Sequence, residues 1–321
     1  MPVAFVTGIS GQDGTILARR LVAEGVVVHG LVRSVDELNA WSRAERGQVT
    51  VHIGELTDTE RVAQLVDQTE PDEVYNLAGI SSVAYSWDHP VVTGLVTGVG
   101  AVGVFDAAWR LAQRTGRPVR VVQASSAEIF GRPATSPQDE SSPIAPISPY
   151  GAAKAYAHLA AAVYRERGLP VSTVILYNHE SPLRPTTFVT RKISSAAARI
   201  ARNGGELTLG DTSVRRDWGW APDYVDAMVR AVRHEQAGDY VVATGQTHTV
   251  EDFVEAAMTH AGVHDWRSRI RTDPALMRPA EASVQVGDAT RARTVLGWQP
   301  TVDFAELVAR MVDHDLELLG Q

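Results

Sequence analysis

Cysteine is absent from this 321-residue chain. Its absence excludes disulfides, cysteine nucleophiles and thiolate metal sites together. The ten histidines show no paired ligand spacing, so no metal site is expected either. Long apolar runs are also missing: none approaches the roughly 18 residues that cross a bilayer. The chain enters a strand-like apolar run at Val3 without a charged leader. These absences lead us to expect a soluble, cytoplasmic protein with no membrane partner. Basic charge is in deficit, with 30 Lys and Arg against 38 Asp and Glu and a formal net charge of −8. No nucleic acid is expected as a partner, because affinity for a phosphate backbone requires a basic surface. An anionic small molecule needs only a few arginines inside a cleft, and Arg191, Arg215, Arg216 and Arg278 are candidates.

Glycine, by contrast, is placed where it carries information. The run Val-Thr-Gly-Ile-Ser-Gly-Gln-Asp-Gly from Val6 to Gly14 follows an apolar strand-like stretch. It precedes an amphipathic one with Ile16, Leu17, Leu21 and Val22 on one helical face. Glycines on a strand-to-helix turn make a phosphate cradle. Gly8 suits a tight turn, Gly11 admits a pyrophosphate close to the backbone, and Gly14 lets the helix lie near the sheet. The helix N-terminus favours the negative charge. Ser10, Gln12 and Asp13 complete the loop as cofactor contacts. An ordinary glycine turn is the alternative, and the flanking strand and helix argue against it.

Further strand-like runs fall at residues 26–32, 49–53, 73–77, 119–124 and 171–176, separated by helical periodicity at 59–69, 99–114 and 151–167. Strands alternating with helices predict an α/β fold, a Rossmann-type doubly wound parallel sheet with a smaller, mostly C-terminal substrate-binding lobe. Residues 1–177 are read as the dinucleotide-binding domain and 178–321 as the substrate lobe. Residues 222–244, a helix and then a short strand at 240–243, return to the sheet, so the two are interleaved. Proline and arginine between Ser181 and Arg191, and again near Pro274, suggest loops over a substrate.

Ligands of such sheets bind beyond the carboxyl ends of the strands. After the second strand stands Arg33, where an enzyme for the unphosphorylated dinucleotide commonly has an acidic residue. A basic residue there suits a ribose 2′-phosphate, so NADP is expected, with NAD and a solvated surface arginine as the alternative. Glu55 and Leu56 flank the adenine. Leu77, Ala78, Gly79 and Ser81 offer small residues along the path of the dinucleotide backbone.

After the fifth strand the sequence runs Gln123-Ala-Ser-Ser-Ala-Glu-Ile-Phe130, followed by Ser148-Pro-Tyr-Gly-Ala-Ala-Lys154. Tyr150 and Lys154 are four apart at a helix start and share one face. An ammonium beside a phenol lowers its pKa, and such a tyrosine takes the proton of an alcohol while a cofactor takes the hydride. An exposed pair on an ordinary helix is the alternative, which the cradle, Ser125-Ser126 and Pro149 disfavour.

With these segments the chain resembles the extended short-chain dehydrogenase/reductases. Within them it is similar to the GDP-mannose 4,6-dehydratases over nearly its whole length. The matching stretches include Thr7 to Gly14, Gln123 to Ser125 with Glu128, Ser148 to Lys154, Asn178-His-Glu-Ser-Pro182, Phe188-Val-Thr-Arg-Lys-Ile193 and Arg216-Asp-Trp-Gly219. The resemblance implies oxidation of a GDP-sugar at C4 with NADP, loss of water across C5 and C6, and return of the hydride to C6. It implies Tyr150 as the alcohol base, Lys154 as its electrostatic partner and a ribose contact, and Ser126 as the hydroxyl that holds O4. Glu128 is then the C5 base and afterwards the acid for the departing hydroxyl, a role that a simple 4-epimerase or 4-reductase, the alternative activities, does not need. A catalytically silent dinucleotide-binding regulator is the remote alternative.

The same match implies that His179 and Arg184 contact the cofactor. Ser81, Asn178, Val189 and Lys192 line the substrate, Arg216 and Arg278 clamp its diphosphate, and Glu281 binds the nucleoside ribose. Trp218 and Trp220 read as packing residues. Ser126 stands where the family has threonine, Ala127 where it has serine, Ser82 where it has histidine and Leu183 where it has arginine. The segment after Arg33 is shorter, so a homodimer through the helices at 99–114 and 151–167 is expected, with a tetramer as the alternative.

Overall fold

The structure is a computed structural model and is described here for all residues except Ala40, Arg278, Pro279, Glu281 and Gln321. Six apolar runs form strands β1 (Val3–Thr7), β2 (Val27–Val32), β3 (Thr50–Ile53), β4 (Glu73–Asn76), β5 (Arg120–Ala124) and β6 (Val171–Leu176). With the strand Asp239–Val242 they make a seven-stranded sheet in which that strand is followed by β6, β5, β4, β1, β2 and β3. Every pairing in it is parallel. The strand order reverses between β1 and β4, the place at which sheets of this kind hold their ligands.

Parallel sheets need both faces covered. One face packs Leu17 and Leu21 of the helix Gln12–Ala23, and Tyr224, Val225 and Met228 of the helix Ala221–Arg233. The other packs Val62, Leu65 and Val66 of Thr59–Thr69, Val104, Phe105 and Leu111 of Gly100–Thr115, and Ala157, Ala161 and Tyr164 of Pro149–Glu166. Strand Asp239–Val242 thus returns to the sheet one residue earlier than the sequence pattern predicts. The segment around Trp298 packs on the same core, with Trp298 Nε1 donating to the Asp223 carbonyl at 2.7 Å.

A separate core gathers Ile193, Trp218, Phe253, Met258, Leu307 and Met311, where Trp218 meets Phe253 edge-on at 5.4 Å. Trp218 is therefore a packing residue, and Trp220 carries the Arg310 guanidinium over its ring. Two helices of this core, Val189–Asn203 and Phe304–Gly320, are tied by a buried ion pair of Arg191 with Asp315, whose second oxygen accepts from Ser194 Oγ at 2.7 Å. Arg191, a sequence candidate for anion binding, is committed to that pair.

The helical segment Pro90–Thr115 starts earlier than its periodicity suggests, at Pro90, whose fixed φ suits a first turn. By length and composition it is apolar enough to cross a membrane, which a reading of uninterrupted apolar runs passes over. Half of its most apolar window is packed inside the protein.

Candidate active site

β1 ends at Thr7, and Gly8 turns the chain with φ +68°. A Cβ on Gly8 would stand 2.8 Å from Ala78 N, and one on Gly14 would stand 2.2 Å from the Gly8 carbonyl oxygen. Both obstacles are backbone, so only glycine lets the loop, its helix and the end of β4 close up. Gly11 is different. Its nearest neighbour would be 3.3 Å away, so the fold alone makes a weaker demand for glycine there. The cradle fits a pyrophosphate laid against its backbone.

Beneath the cradle a buried polar ladder crosses the strand ends. Thr7 Oγ1 donates to Asn76 Oδ1 at 2.7 Å, Asn76 Nδ2 to Gln123 Oε1 at 2.6 Å, and Gln123 Nε2 to the Ala124 carbonyl at 2.8 Å. Lys154 Nζ donates to that same carbonyl at 2.8 Å. The ladder satisfies buried polar groups and fixes the lysine.

The loop is also stapled to the strand Asn178–Glu180, which pairs with Trp218–Trp220. Gln12 Nε2 donates to the His179 carbonyl at 3.1 Å, and Ser181 Oγ donates to Gln12 Oε1 at 2.8 Å. His179 Nε2 lies 2.9 Å from Asp13 Oδ2 and its Nδ1 lies 2.7 Å from the Tyr177 carbonyl, while its ring stacks on Tyr224. Both ring nitrogens meet acceptors, which describes an imidazolium. Burial opposes that charge, yet the Asp13 carboxylate lifts His179 above its ordinary value and is itself held below its own. The His179 ring therefore has no nitrogen left for a ligand.

Ser148 caps the helix Pro149–Glu166, accepting from Gly151 N at 3.0 Å, and Pro149 occupies its first turn. A Cβ on Gly151 would lie 2.6 Å from the Glu128 carbonyl oxygen, so this glycine lets the helix press against the turn after β5. Ser126 opens that turn by accepting from Glu128 N at 3.2 Å, and its hydroxyl stands near the Tyr150 phenol. Ser126, Glu128, Tyr150 and Lys154 are thus brought together. Burial pushes Tyr150 up to about 12, with the Ser126 hydroxyl acting the other way and the Glu128 charge adding to the rise. Burial also brings Lys154 down to about 8. The lowered phenol expected from sequence is not what this arrangement produces, because desolvation dominates and the ammonium, 6.0 Å from the ring centroid, is turned to Ala124.

Gln285, buried at 4% exposure, donates Nε2–H to Glu128 Oε1 at 3.1 Å. Sequence reading missed this residue, since 157 positions separate the pair and no local pattern marks it. Gln285 lies beside Arg216 in a small sheet, where Val284–Gln285 and His248–Thr249 flank Arg215–Arg216. Arg216 is buried and donates to the Arg215 and Ala282 carbonyls, while Arg215 is held by Thr247. Lys192 Nζ donates to the Thr208 carbonyl, and Arg184 lies over Phe188 beside Glu180. Arg278 and Glu281 fall outside the described residues.

Of the two residues expected to flank an adenine, Leu56 is buried and Glu55 exposed. Arg33 is 75% exposed and pairs at 2.6 Å with Glu37, a residue that the sequence reading passed over although it stands one helical turn further on. Glu37 also accepts from Ser10 Oγ at 3.3 Å, which brings a carboxylate to the edge of the cradle.

A family model described as GDP-mannose 4,6 dehydratase matches residues 5–311. The chain is similar to GDP-mannose 4,6 dehydratase 2 of Arabidopsis thaliana, 41% identical over 98% of this chain and 87% of that protein. It is similar to the GDP-mannose 4,6 dehydratase of Homo sapiens at 38% identity over 99% and 92%. Among solved structures, UDP-glucose 4-epimerase of Thermus thermophilus in complex with NAD shares the fold with a TM-score of 0.84 at 26% identity, covering 98% of each chain. The sequence match runs through sheet, cradle and C-terminal core alike, and the chain belongs to the GDP-mannose 4,6-dehydratase family.

Proposed function

We propose that this chain converts GDP-mannose to GDP-4-keto-6-deoxymannose by moving a hydride from C4 to C6 with loss of water. The observation that carries the reading is Glu128, a carboxylate set against Ser126, Tyr150 and Lys154. Oxidation of an alcohol alone has no use for it, and an elimination requires one. A nicotinamide dinucleotide, when bound, would supply the hydride chemistry, an oxidation at C4 matched by a reduction at C6. Gly8 to Gly14 with Ser10, Gln12 and Asp13 would hold its pyrophosphate, Glu55 and Leu56 its adenine, and Leu77, Ala78, Gly79 and Ser81 its central part. His179 would serve the cradle through Asp13, and Arg184 would contact the cofactor.

Tyr150 takes the proton of O4 while Ser126 holds that oxygen. Lys154, brought down to about 8 by burial and turned to the Ala124 carbonyl, would swing toward Tyr150 to offset its phenolate and relay the proton onward. The C4 ketone acidifies C5. Glu128 then takes the C5 proton, and the same proton goes to the hydroxyl leaving C6 as water. A proton is restored to C5 against the one removed from O4, so the protein finishes in its starting state. Asn178, Val189 and Lys192 would line the sugar nucleotide. Arg216, with Arg278, would face its diphosphate, and Glu281 its ribose.

The choice between NADP and NAD turns on Arg33. Its pairing with Glu37 favours NAD, because a 2′-phosphate would have to displace Glu37 from Arg33 and then lie beside a like charge. We also read a homodimer. Val91 at 74% exposure and Val163 at 59%, with Leu95, Val99, Tyr156 and Leu159, leave an apolar face on Pro90–Thr115 and Pro149–Glu166 that a second copy would cover.

The test supplies GDP-mannose and follows a 4-ketone that absorbs in alkali together with a deoxygenated C6. Unchanged substrate removes the assignment. Glu128→Gln is expected to bind cofactor normally and to lose water formation, and normal turnover by it would show that the base is another residue.

A further inference from the structure

We propose that Gln285 is a positioning residue for Glu128, fixing one carboxylate oxygen as a permanent acceptor so that the other carries the proton. This inference rests on Glu128 being the C5 base. The donor is the Gln285 Nε2–H at 3.1 Å from Oε1, and the glutamine is buried, so its amide is not exchanged for water. An amide N–H can donate to a carboxylate and, more weakly, to the carbonyl-like oxygen of a carboxylic acid. Oε1 keeps its partner in both protonation states, and Oε2 alone cycles between accepting the C5 proton and giving it to O6. The carboxylate does not have to rotate between its two tasks.

The donor is held on rigid backbone. The Gln285 carbonyl accepts from Asp217 N at 3.1 Å, the next carbonyl, of Val286, accepts from Gln138 N at 3.0 Å, and Asp288 N donates to Gln138 at 2.7 Å. Gln138 is in turn held by the Tyr177 hydroxyl at 2.9 Å. Gly287 follows, where a Cβ would meet Ala243 Cβ at 2.5 Å, so the backbone beyond the strand packs directly on the sheet. The backbone that carries the acceptor is held by Ser126 Oγ at the Glu128 amide, and Gly151 packs closely on the Glu128 carbonyl. Two segments 157 residues apart are thereby brought into register at one oxygen atom. Around the carboxylate, Tyr150 is the titratable neighbour from the helix, and the Arg216 guanidinium stands on the strand beside Gln285.

The experiment uses the full-length enzyme with GDP-mannose in deuterated water and compares wild type with Gln285→Leu. Expected are unchanged affinities for cofactor and substrate, C4 oxidation within about twofold, and deuterium uptake at C5 slowed roughly tenfold or more. The acid limb of the kcat/KM profile should move upward by about half a pH unit or more, because a donor to the charged form has been removed. Gln285→Glu, which sets a like charge beside Glu128, should move it further in the same direction. Unchanged C5 exchange with an unmoved acid limb would overturn the proposal, as would equal loss of C4 oxidation and C5 exchange with that limb unmoved. If Gln285→Leu does not fold, Gln285→Met is read in the same way. Normal water loss by Glu128→Gln would instead remove the base assignment itself, and this proposal with it.

Discussion

Gly14 and Gly11 separate what the cradle does for folding from what it does for a ligand. A methyl group on Gly14 would stand 2.2 Å from the Gly8 carbonyl oxygen and 2.6 Å from Ile9 Cα, whereas real Cβ contacts are essentially never shorter than 3.0 Å. The loop would have to retreat by about 1 Å, and overpacking of this kind costs roughly 1–3 kcal/mol. Alanine is the better helix former by about 0.5–1 kcal/mol, which offsets only part of that cost. Gly14→Ala should therefore lower stability by about 1–2 kcal/mol, or Tm by roughly 2–5 °C, in the absence of any ligand. Gly11→Ala meets its first neighbour at 3.3 Å and should fold nearly as well as wild type. It places a methyl group where a pyrophosphate would press on the backbone, so dinucleotide affinity should fall tenfold or more, roughly 1.4 kcal/mol. Thermal unfolding without cofactor and fluorescence titration with NADH and NADPH measure the two effects. A Gly11→Ala variant that binds dinucleotide as wild type does would refute the assignment of the cradle.

Four further outcomes follow from the geometry. Asp13→Asn should destabilise more at pH 5 than at pH 9 in urea unfolding. The raised His179 gives stability that is complete below 6.5 and lost as pH rises through its folded value, and the lowered Asp13 gives stability that is complete above 3.8 and lost as pH falls. Asp315→Ala leaves Arg191 charged and buried without its partner, and should cost about 3–5 kcal/mol by urea unfolding. Glu37→Gln should tighten NADP relative to NAD by roughly fivefold or more in direct binding, and an unchanged ratio would mean that Glu37 does not face the 2′ position. Val163→Glu should shift the protein toward monomer in light scattering, and an unchanged mass would place any interface elsewhere.

Much of this architecture was legible because it is periodic. Alternation of apolar runs with helical spacing marks β1 to β6, and each ladder begins or ends within a residue or so of its run. Tyr150 and Lys154 stand out through a four-residue spacing behind a proline-initiated helix. Glu128 carries no pattern of its own and was identified through its resemblance to the family. The two-residue strands Arg215–Arg216, His248–Thr249 and Val284–Gln285 are too short for any period to register. Gln285 consequently emerges only once the chain is folded. The direction of the Tyr150 shift departs from the sequence expectation for a related reason: spacing along a helix reveals a neighbouring charge, and it does not reveal burial.

The central claim is that one hydride leaves C4 and returns at C6 of the same sugar. GDP-mannose deuterated at C4, turned over by the purified protein in ordinary water and analysed by NMR, tests it directly. The account predicts a single deuterium on C6 of the product within the same molecule. A C6 methyl group without deuterium, or label passed between sugar molecules, would contradict it.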